Sequence, residues 1–454
     1  MIFEGYVFTL ITGLLLYCVP RRWAALPLLM GVAYMTRGQV LEIGPLHFPV
    51  IRILIAVGFV RVLLKGERIA GGTNHLDWLL TLWAGCLVCS SVFHTSDAWI
   101  FRLGLVWTEL GSYFLFRVFI GNFDDICHLF KVICVLLVPV AVAMLLEKMT
   151  GNNCFAMFGG VQVEVSLRSG HFRAQGPFAH AILAGTVGAT CLPMALCLWR
   201  GDRKRALAGM CATSGMVIAS GSSGPFMIAL TGLAALALWK RRRYLRMFRW
   251  AAGLLIIALD LVMKDPVYYL LARIDITGGS TGWHRAALIQ AAIEHMHEWW
   301  LAGTDYTRHW MPSGIYANAI HTDITNHYLM MGVYGGLPLM LLFLWVILAA
   351  FGIVGKALLL NHNAPMERQF LIWTLGAILV AHVTNFISIS YFDQSVVFLD
   401  LLLASIGALP AMKPAVTPAS RASDRTEQRY VLLHRSQQST QHPADSLPLG
   451  HVER

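Results

Sequence analysis

A helix needs about 20 residues to cross the hydrocarbon core of a bilayer, and apolar runs of roughly that length recur along almost the whole chain, from Gly5–Val19 to Ser395–Ala411. Roughly thirteen such runs can be read. Hydrocarbon offers no water to loose backbone groups, so each run must close its own hydrogen bonds as a helix. The expected fold class is an all-α polytopic membrane protein with about twelve to fourteen transmembrane helices. Composition agrees: 57% of the 454 residues are hydrophobic and 13% charged, where a soluble domain carries about 25% charged residues.

The net charge of +10 is concentrated in short loops between apolar runs, which argues against a nucleic-acid partner. The clusters are Arg21 and Arg22, Lys65 to Arg68, Arg200 to Arg205 and Lys240 to Arg249. By the positive-inside rule these loops are cytoplasmic. The N-terminus then lies outside, together with two longer loops, about residues 147–177 and 264–324. Met1 to Pro20 lacks a basic leader and reads as a first spanning helix, not a cleaved signal. Residues 1–412 are expected to form the membrane domain. The polar, Pro-, Ser- and Gln-containing residues 413–454 read as a disordered cytoplasmic tail. Cys86 and Cys89 fall inside an apolar run and read as small buried residues, and no structural disulfide is expected.

Polar residues concentrate in three stretches assigned to the outer face. SLRSGHFRAQGPFAHA holds Arg168, His171, Arg173, Gln175 and His180. GSTGWHRAALIQAAIEHMHEWW holds His284, Arg285, Glu294, His295, His297 and Glu298. GTDYTRHW and HTDITNHY hold Asp305, Arg308, His309, His321, Asp323, Asn326, His327 and Tyr328. Arginine on the outer face runs against the charge trend, and its planar fork suits phosphate and carboxylate. Arg273 and Arg308 read as facing water. Arg173 and Arg285 read as anion contacts, since each lies near the start of an apolar helix. Gly-Pro-Phe occurs at 176–178 and at 224–226, each time expected to open a helix whose free N–H groups can meet an anion. Residues 283–300 read as an amphipathic helix lying on the outer membrane surface, with tryptophans at both ends. His295 and His297 stand about 200° apart around a helix, a poor chelating geometry, so no metal and no cofactor is expected.

Taken in order, these stretches resemble the O-antigen ligase and Wzy-type polymerase superfamily of bacterial envelope polysaccharide enzymes. FRAQGPFAHAILAG resembles the family's Arg-Gly-Phe-His segment before a helix. SGSSGPF is similar to its Ser-Arg-Gly turn but lacks the arginine. GWHRAALIQAA with LAGTDY is similar to the start of its long periplasmic loop, and TNHYLMMGVYGGL to its His-Asn-x-Tyr-Leu run. The resemblance implies a metal-independent, inverting glycosyltransferase in the bacterial inner membrane, with its active site facing the periplasm. It would polymerise polyprenyl-diphosphate-linked repeat units into exopolysaccharide or O-antigen. A ligase that passes finished glycan to lipid A core or protein is the near alternative.

The donor implied is a polyprenyl-diphosphate-linked glycan and the acceptor a glycan or lipid A core, in the setting of the bilayer and of other polysaccharide assembly proteins. Carried onto this chain, Arg173 and Arg285 stabilise the departing diphosphate, and a histidine acts as base. Thr325 stands where the family's histidine is usual, so His327 or His321 is the replacement, with Asp323 orienting it. Arg168, His180, His284, Asn326 and Tyr328 complete the expected substrate contacts. A transporter of lipid-linked sugars is the alternative from another class. It would place ionisable residues within the helices, whereas here they are expected to gather in the outer loops.

Overall fold

The computed structural model describes residues 1–412 apart from Ser169, residues 274–281, Tyr316 and Asp393. The tail from Lys413 lies outside the described residues. Each apolar run forms a helix, with two small antiparallel hairpins between them. In chain order the elements are α1 (Phe3–Cys18), α2 (Ala25–Tyr34), β1 (Val40–Ile43), β2 (Leu46–Pro49), α3 (Val50–Lys65), α4 (His75–Ser90), α5 (Ser96–Phe119) and α6 (Phe123–Thr150). Then come β3 (Ser166–Arg168), β4 (His171–Arg173), α7 (Ala181–Cys197), α8 (Arg203–Ser220), α9 (Ser223–Ala237) and α10 (Leu245–Val262). The chain closes with α11 (Gly282–Glu294), α12 (Met296–Trp299), α13 (His327–Leu360), α14 (Met366–Asn385) and α15 (Gln394–Ala408). The fold is all-α. Among the described residues, five helical segments, His75–Phe93, Phe123–Thr150, Ala181–Arg200, His327–Leu360 and Gln394–Ala411, are long and apolar enough to cross a membrane.

α7 and α15 form the centre, with almost every residue buried. The sequence of α7, AILAGTVGATCLPMALC, explains its place: small residues let neighbouring backbones approach closely, which is how helices associate where solvent gives little drive. A Cβ added at Gly188 would sit 2.8 Å from the Thr213 carbonyl oxygen on α8, and one at Gly185 would sit 2.6 Å from Pro225 on α9. No residue of α10 is buried.

The basic loops gather at one end of the helices. Arg21 donates to the Arg68 carbonyl, Lys131 lies 3.8 Å from Asp202, and the Arg368 guanidinium covers the Phe123 ring. The loops that carry the polar stretches meet at the other end.

Three expectations of local structure are corrected. The run from Leu46 does not begin as a helix: Gly44, at φ +59°, turns the chain back so that β2 pairs with β1, and α3 starts only after Pro49. Gly-Pro-Phe at 176–178 does not open α7 either. Gly176 takes φ +58°, and α7 begins at Ala181 with His180 as its N-cap. The second copy does lie in the first turn of α9. The amphipathic segment is broken at His295, and its apolar face is not left for lipid. Leu288, Ala291, Ala292 and Trp299 pack on Trp310, Met311, Ile324 and Val333, although Trp283 and Trp300 stay exposed.

α13 is interrupted at Gly335 and Gly336, the latter at φ +72°, with Pro338 just beyond. The break frees backbone groups that need partners. The long loop supplies them: Leu337 N–H donates to the Trp300 carbonyl at 2.7 Å, and Thr304 N–H donates to the Val333 carbonyl at 3.0 Å. A Cβ at Gly336 would sit 2.4 Å from the Leu301 carbonyl. Gly336→Ala is therefore expected to lower the thermal midpoint of the detergent-solubilised protein, through left-handed strain of about 1 kcal/mol or more together with the clash. A midpoint equal to that of the wild type would show that the loop does not dock on the break.

Candidate functional site

The first arginine is positioned from the end of α6. Glu147 is 2% exposed, and its carboxylate accepts the backbone N–H groups of Gln175 and Gly176 at 2.9 and 2.7 Å. Asn153 Nδ2 donates to the Gly176 carbonyl at 2.8 Å, and Ala174 N–H donates to the Ala219 carbonyl. These bonds hold the chain after β4 against the end of α8. Arg173, mostly buried, places Nη2 2.6 Å from Ser222 Oγ. Lys148 Nζ donates to the Ile218 carbonyl at 2.8 Å, which puts a second cation beside the same turn. The FRAQGPF stretch thus meets the SGSSGPF turn, with Arg173 reaching across to Ser222.

The second arginine lies where the long loop meets the loop between α14 and α15. Arg285 Nε donates to the Ser388 carbonyl at 2.9 Å. The neighbouring His284 is fully buried, and its Nε2 lies 2.8 Å from the Asp323 carbonyl, so it anchors the loop. Burial pushes the Asp323 carboxyl above the ordinary carboxylate range, and the nearby charges of His284 and Arg285 pull it partly back. Asp323 is therefore a better proton acceptor than an exposed aspartate. His321 Nδ1 lies 3.2 Å from Thr307 Oγ1. Burial holds the His321 imidazole below its usual pKa, against the opposing charge of Asp305.

The two arginine centres share one strut, the loop between α14 and α15. Ser390 Oγ donates to the Ile324 carbonyl, and the Phe386 carbonyl accepts His327 N–H at 2.7 Å. On its other side Gln394 Nε2 donates to the Pro177 and Met35 carbonyls, each at 2.9 Å.

The remaining expected site residues take the following positions. His327 is the first residue of α13 and is 4% exposed. Its ring packs among Phe343, Phe386 and Tyr391, and Nδ1 accepts the Tyr391 backbone N–H at 3.2 Å. The structure puts it in an aromatic cage beneath the loops, because the N-cap of α13 turns the first helical side chain inward. Asn326 is that N-cap, its side-chain oxygen accepting Leu329 N–H at 3.1 Å. Tyr328 donates to the Val383 carbonyl on α14 at 3.2 Å. His180 Nδ1 caps α7 by accepting Ile182 N–H. Arg168 pairs in register with His171, and its side chain lies outside the described residues. Arg273 is exposed as expected, whereas Arg308 turns back on the Met311 and Pro312 carbonyls of its own loop.

Several residues with chemical potential carry no site role in the sequence reading. Asp305 holds the loop after α4, with His94 Nδ1 at 2.5 Å from one carboxylate oxygen and Thr95 N–H donating to the other at 2.9 Å. His295 Nδ1 lies 2.7 Å from Glu298, and its ring stands edge-on to that of His309 at 4.9 Å. Ionisable groups are also not confined to loops. Arg117 pairs with Asp77 at 2.9 Å with both side chains 1% exposed, and Glu109 and Asp400 line a cavity of about 20 Å³ with Trp83, Tyr113 and His327. Lone carboxylates inside apolar runs, TELGS and FLDLL, were the available signal. A larger cavity of about 630 Å³, lined in part by Lys131, Arg200, Lys240 and Glu367, lies at the opposite, basic end, away from both arginines.

No protein-family model matches this chain, and no curated protein does. What these loops can do therefore rests on their own groups: Arg173 held on Ser222 and Arg285 held on the Ser388 carbonyl, each a fork suited to an anion, and the half-buried Asp323 and His321 on the loop before α13, suited to taking a proton. Removing Glu147 tests how the first arginine is held. Glu147→Ala leaves two backbone N–H groups without their acceptor, at a cost of about 1–3 kcal/mol each if they stay buried. The variant is expected to be cleaved by trypsin near Arg173 faster than the wild type, and equal cleavage rates would mean that the carboxylate does not fix this turn.

Proposed function

We propose that this chain is a bacterial inner-membrane glycosyltransferase that joins polyprenyl-diphosphate-linked repeat units into exopolysaccharide or O-antigen at the periplasmic face. The observation that carries the reading is that Arg173, Arg285, His321 and Asp323, from stretches far apart in the chain, all lie in loops at the end of the helices opposite the basic loops, with Asp323 close enough to Arg285 to feel its charge. With those basic loops in the cytoplasm, that end faces outward, where lipid-linked glycans are assembled.

The chemistry follows from charge. Breaking a glycosyl diphosphate leaves negative charge on the departing group, and fixed guanidinium groups in a partly dry site stabilise it as it develops. The acceptor hydroxyl must lose a proton as it attacks the anomeric carbon from the opposite side. Asp323 is assigned that proton because its partly buried carboxyl lies within reach of the Arg285 charge, with His321 two residues before it on the same loop. His327 supports the aromatic cage and is not assigned the base role.

Arg173→Ala and Arg285→Ala are each expected to reduce chain extension by about 100-fold or more at unchanged protein levels. Full-length polymer from either variant would remove the diphosphate clamp. Only ionised Asp323 accepts a proton, so the rate should fall toward acid through a pKa above the ordinary carboxylate range. Asp323→Asn should lose activity at every pH, while His321→Ala keeps the acid limb. An unchanged profile in Asp323→Asn would assign the proton elsewhere. Deleting the protein in its host distinguishes the acceptor: accumulated single repeat units mean polymerase, and accumulated long carrier-linked chains mean ligase.

A second reading, an ion-coupled transporter of lipid-linked sugars, is favoured by the Glu109, Asp400 and His327 cavity inside the helices. Two carboxyls sharing so small a space hold a proton between them more readily than two charges. Glycan extension by the purified protein in detergent, where no gradient exists, would exclude this reading, and transport without extension in vesicles would establish it.

A further inference from the structure

We propose that His295, Glu298 and His309 bind a divalent transition-metal ion of the zinc class, forming a structural clip within the long loop. His295 Nδ1 lies 2.7 Å from Glu298 Oε1, and His309 Nε2 lies 2.9 Å from Glu298 Oε2. One ligand atom from each of the three residues falls within 4.8 Å of the others. Zinc holds imidazole nitrogen and carboxylate oxygen at about 2.0–2.2 Å, so ligand atoms around one ion stand roughly 3–3.5 Å apart, and small rotations of these side chains reach that spacing. Two imidazoles and one carboxylate favour zinc, nickel, cobalt or copper over calcium and magnesium, which take oxygen ligands.

The three groups are also held in place, as ligands are in a built site. The His295 ring stacks on Trp310 at 5.9 Å and 11°, and the His309 ring stacks on Tyr306 at 5.0 Å and 10°. Trp310 Nε1 donates to Glu298 Oε2 at 3.0 Å, the kind of outer contact that orients a metal-bound carboxylate. Exposed His297 stands with Nε2 3.8 Å from Glu298 Oε1 and is the nearest further nitrogen; water fills the position otherwise. On binding, each imidazole presents to the ion the nitrogen that now faces Glu298, Nδ1 of His295 and Nε2 of His309, and a neutral ring carries its one N–H on the other nitrogen.

The clip spans the junction of α11 and α12 on one side and the turn Arg308–Trp310 on the other. It braces the segment that carries Asp305 and the Thr307 contact to His321. The ion takes no part in glycosyl transfer, and the inference stands apart from that reading.

The test uses the full chain in detergent, freed of any histidine tag and stripped with a chelator. On adding Zn²⁺ and removing the excess by gel filtration, the wild type is expected to retain one equivalent and to show a raised thermal midpoint, and Co²⁺ in its place should give the visible absorption of a four-coordinate site. H309Q and H295Q should each lose the bound metal, while H297Q retains it. Absence of retained metal in the wild type would overturn the proposal, as would one equivalent retained by the H295Q/H309Q double variant. The wild-type arm decides the matter even where a variant fails to fold.

Discussion

The loop between α14 and α15 is the joint on which the candidate site depends. Its Phe386 carbonyl takes the first N–H of α13, its Ser388 carbonyl takes Arg285, and Ser390 reaches the Ile324 carbonyl. At its far end Gln394 spans the carbonyls of Met35 and Pro177. Four parts of the chain that are remote in sequence are thereby fixed relative to one another by main-chain acceptors. Main-chain acceptors are insensitive to side-chain identity, so the frame constrains geometry while leaving the functional side chains free to specialise. The arginines differ in how they use it: Arg285 bonds to the joint directly, and Arg173 is set by Glu147 and Ser222, one step away.

Buried charge inside the helices follows a different logic. Asp77 joins a helix-capping box with Asn74 to an ion pair with Arg117 and a hydrogen bond from Tyr113. A buried pair with such partners is costly to break, because either member alone would be an uncompensated charge. Glu109 and Asp400 have no cation of this kind among their cavity neighbours, though Ser112 donates to Asp400. Asp77 and Arg117 thus read as architecture, whereas Glu109 and Asp400 face a small cavity with no such partner cation lining it.

The helical architecture was legible in the sequence because hydrophobic run length is a property of single segments. Each expected run became a helix, and even α2, only 10 residues long, is held by its neighbours α1, α3 and α6. Local turns were less legible. Gly176 and Gly224 open identical Gly-Pro-Phe tripeptides, yet only the second starts a helix, because Glu147, some thirty residues earlier in the chain, captures the N–H groups beside the first. The arginines stood out by violating a charge rule. His327 stood out equally, but whether a histidine at a helix start faces water or an aromatic cage depends on Phe343, Phe386 and Tyr391. The grouping of His295, Glu298 and His309 depends in the same way on how the long loop folds back, which no spacing rule describes.

The interruption of α13 has a consequence for how the protein is made. Residues Trp300 to Thr304 complete their hydrogen bonds only with Val333 and Leu337, on a helix that leaves the ribosome later. The long loop therefore has no finished conformation of its own until α13 has formed and has broken at Gly335 and Gly336. Assembly of the Arg285 centre becomes a late event in folding, timed by a helix that lies after it in the chain.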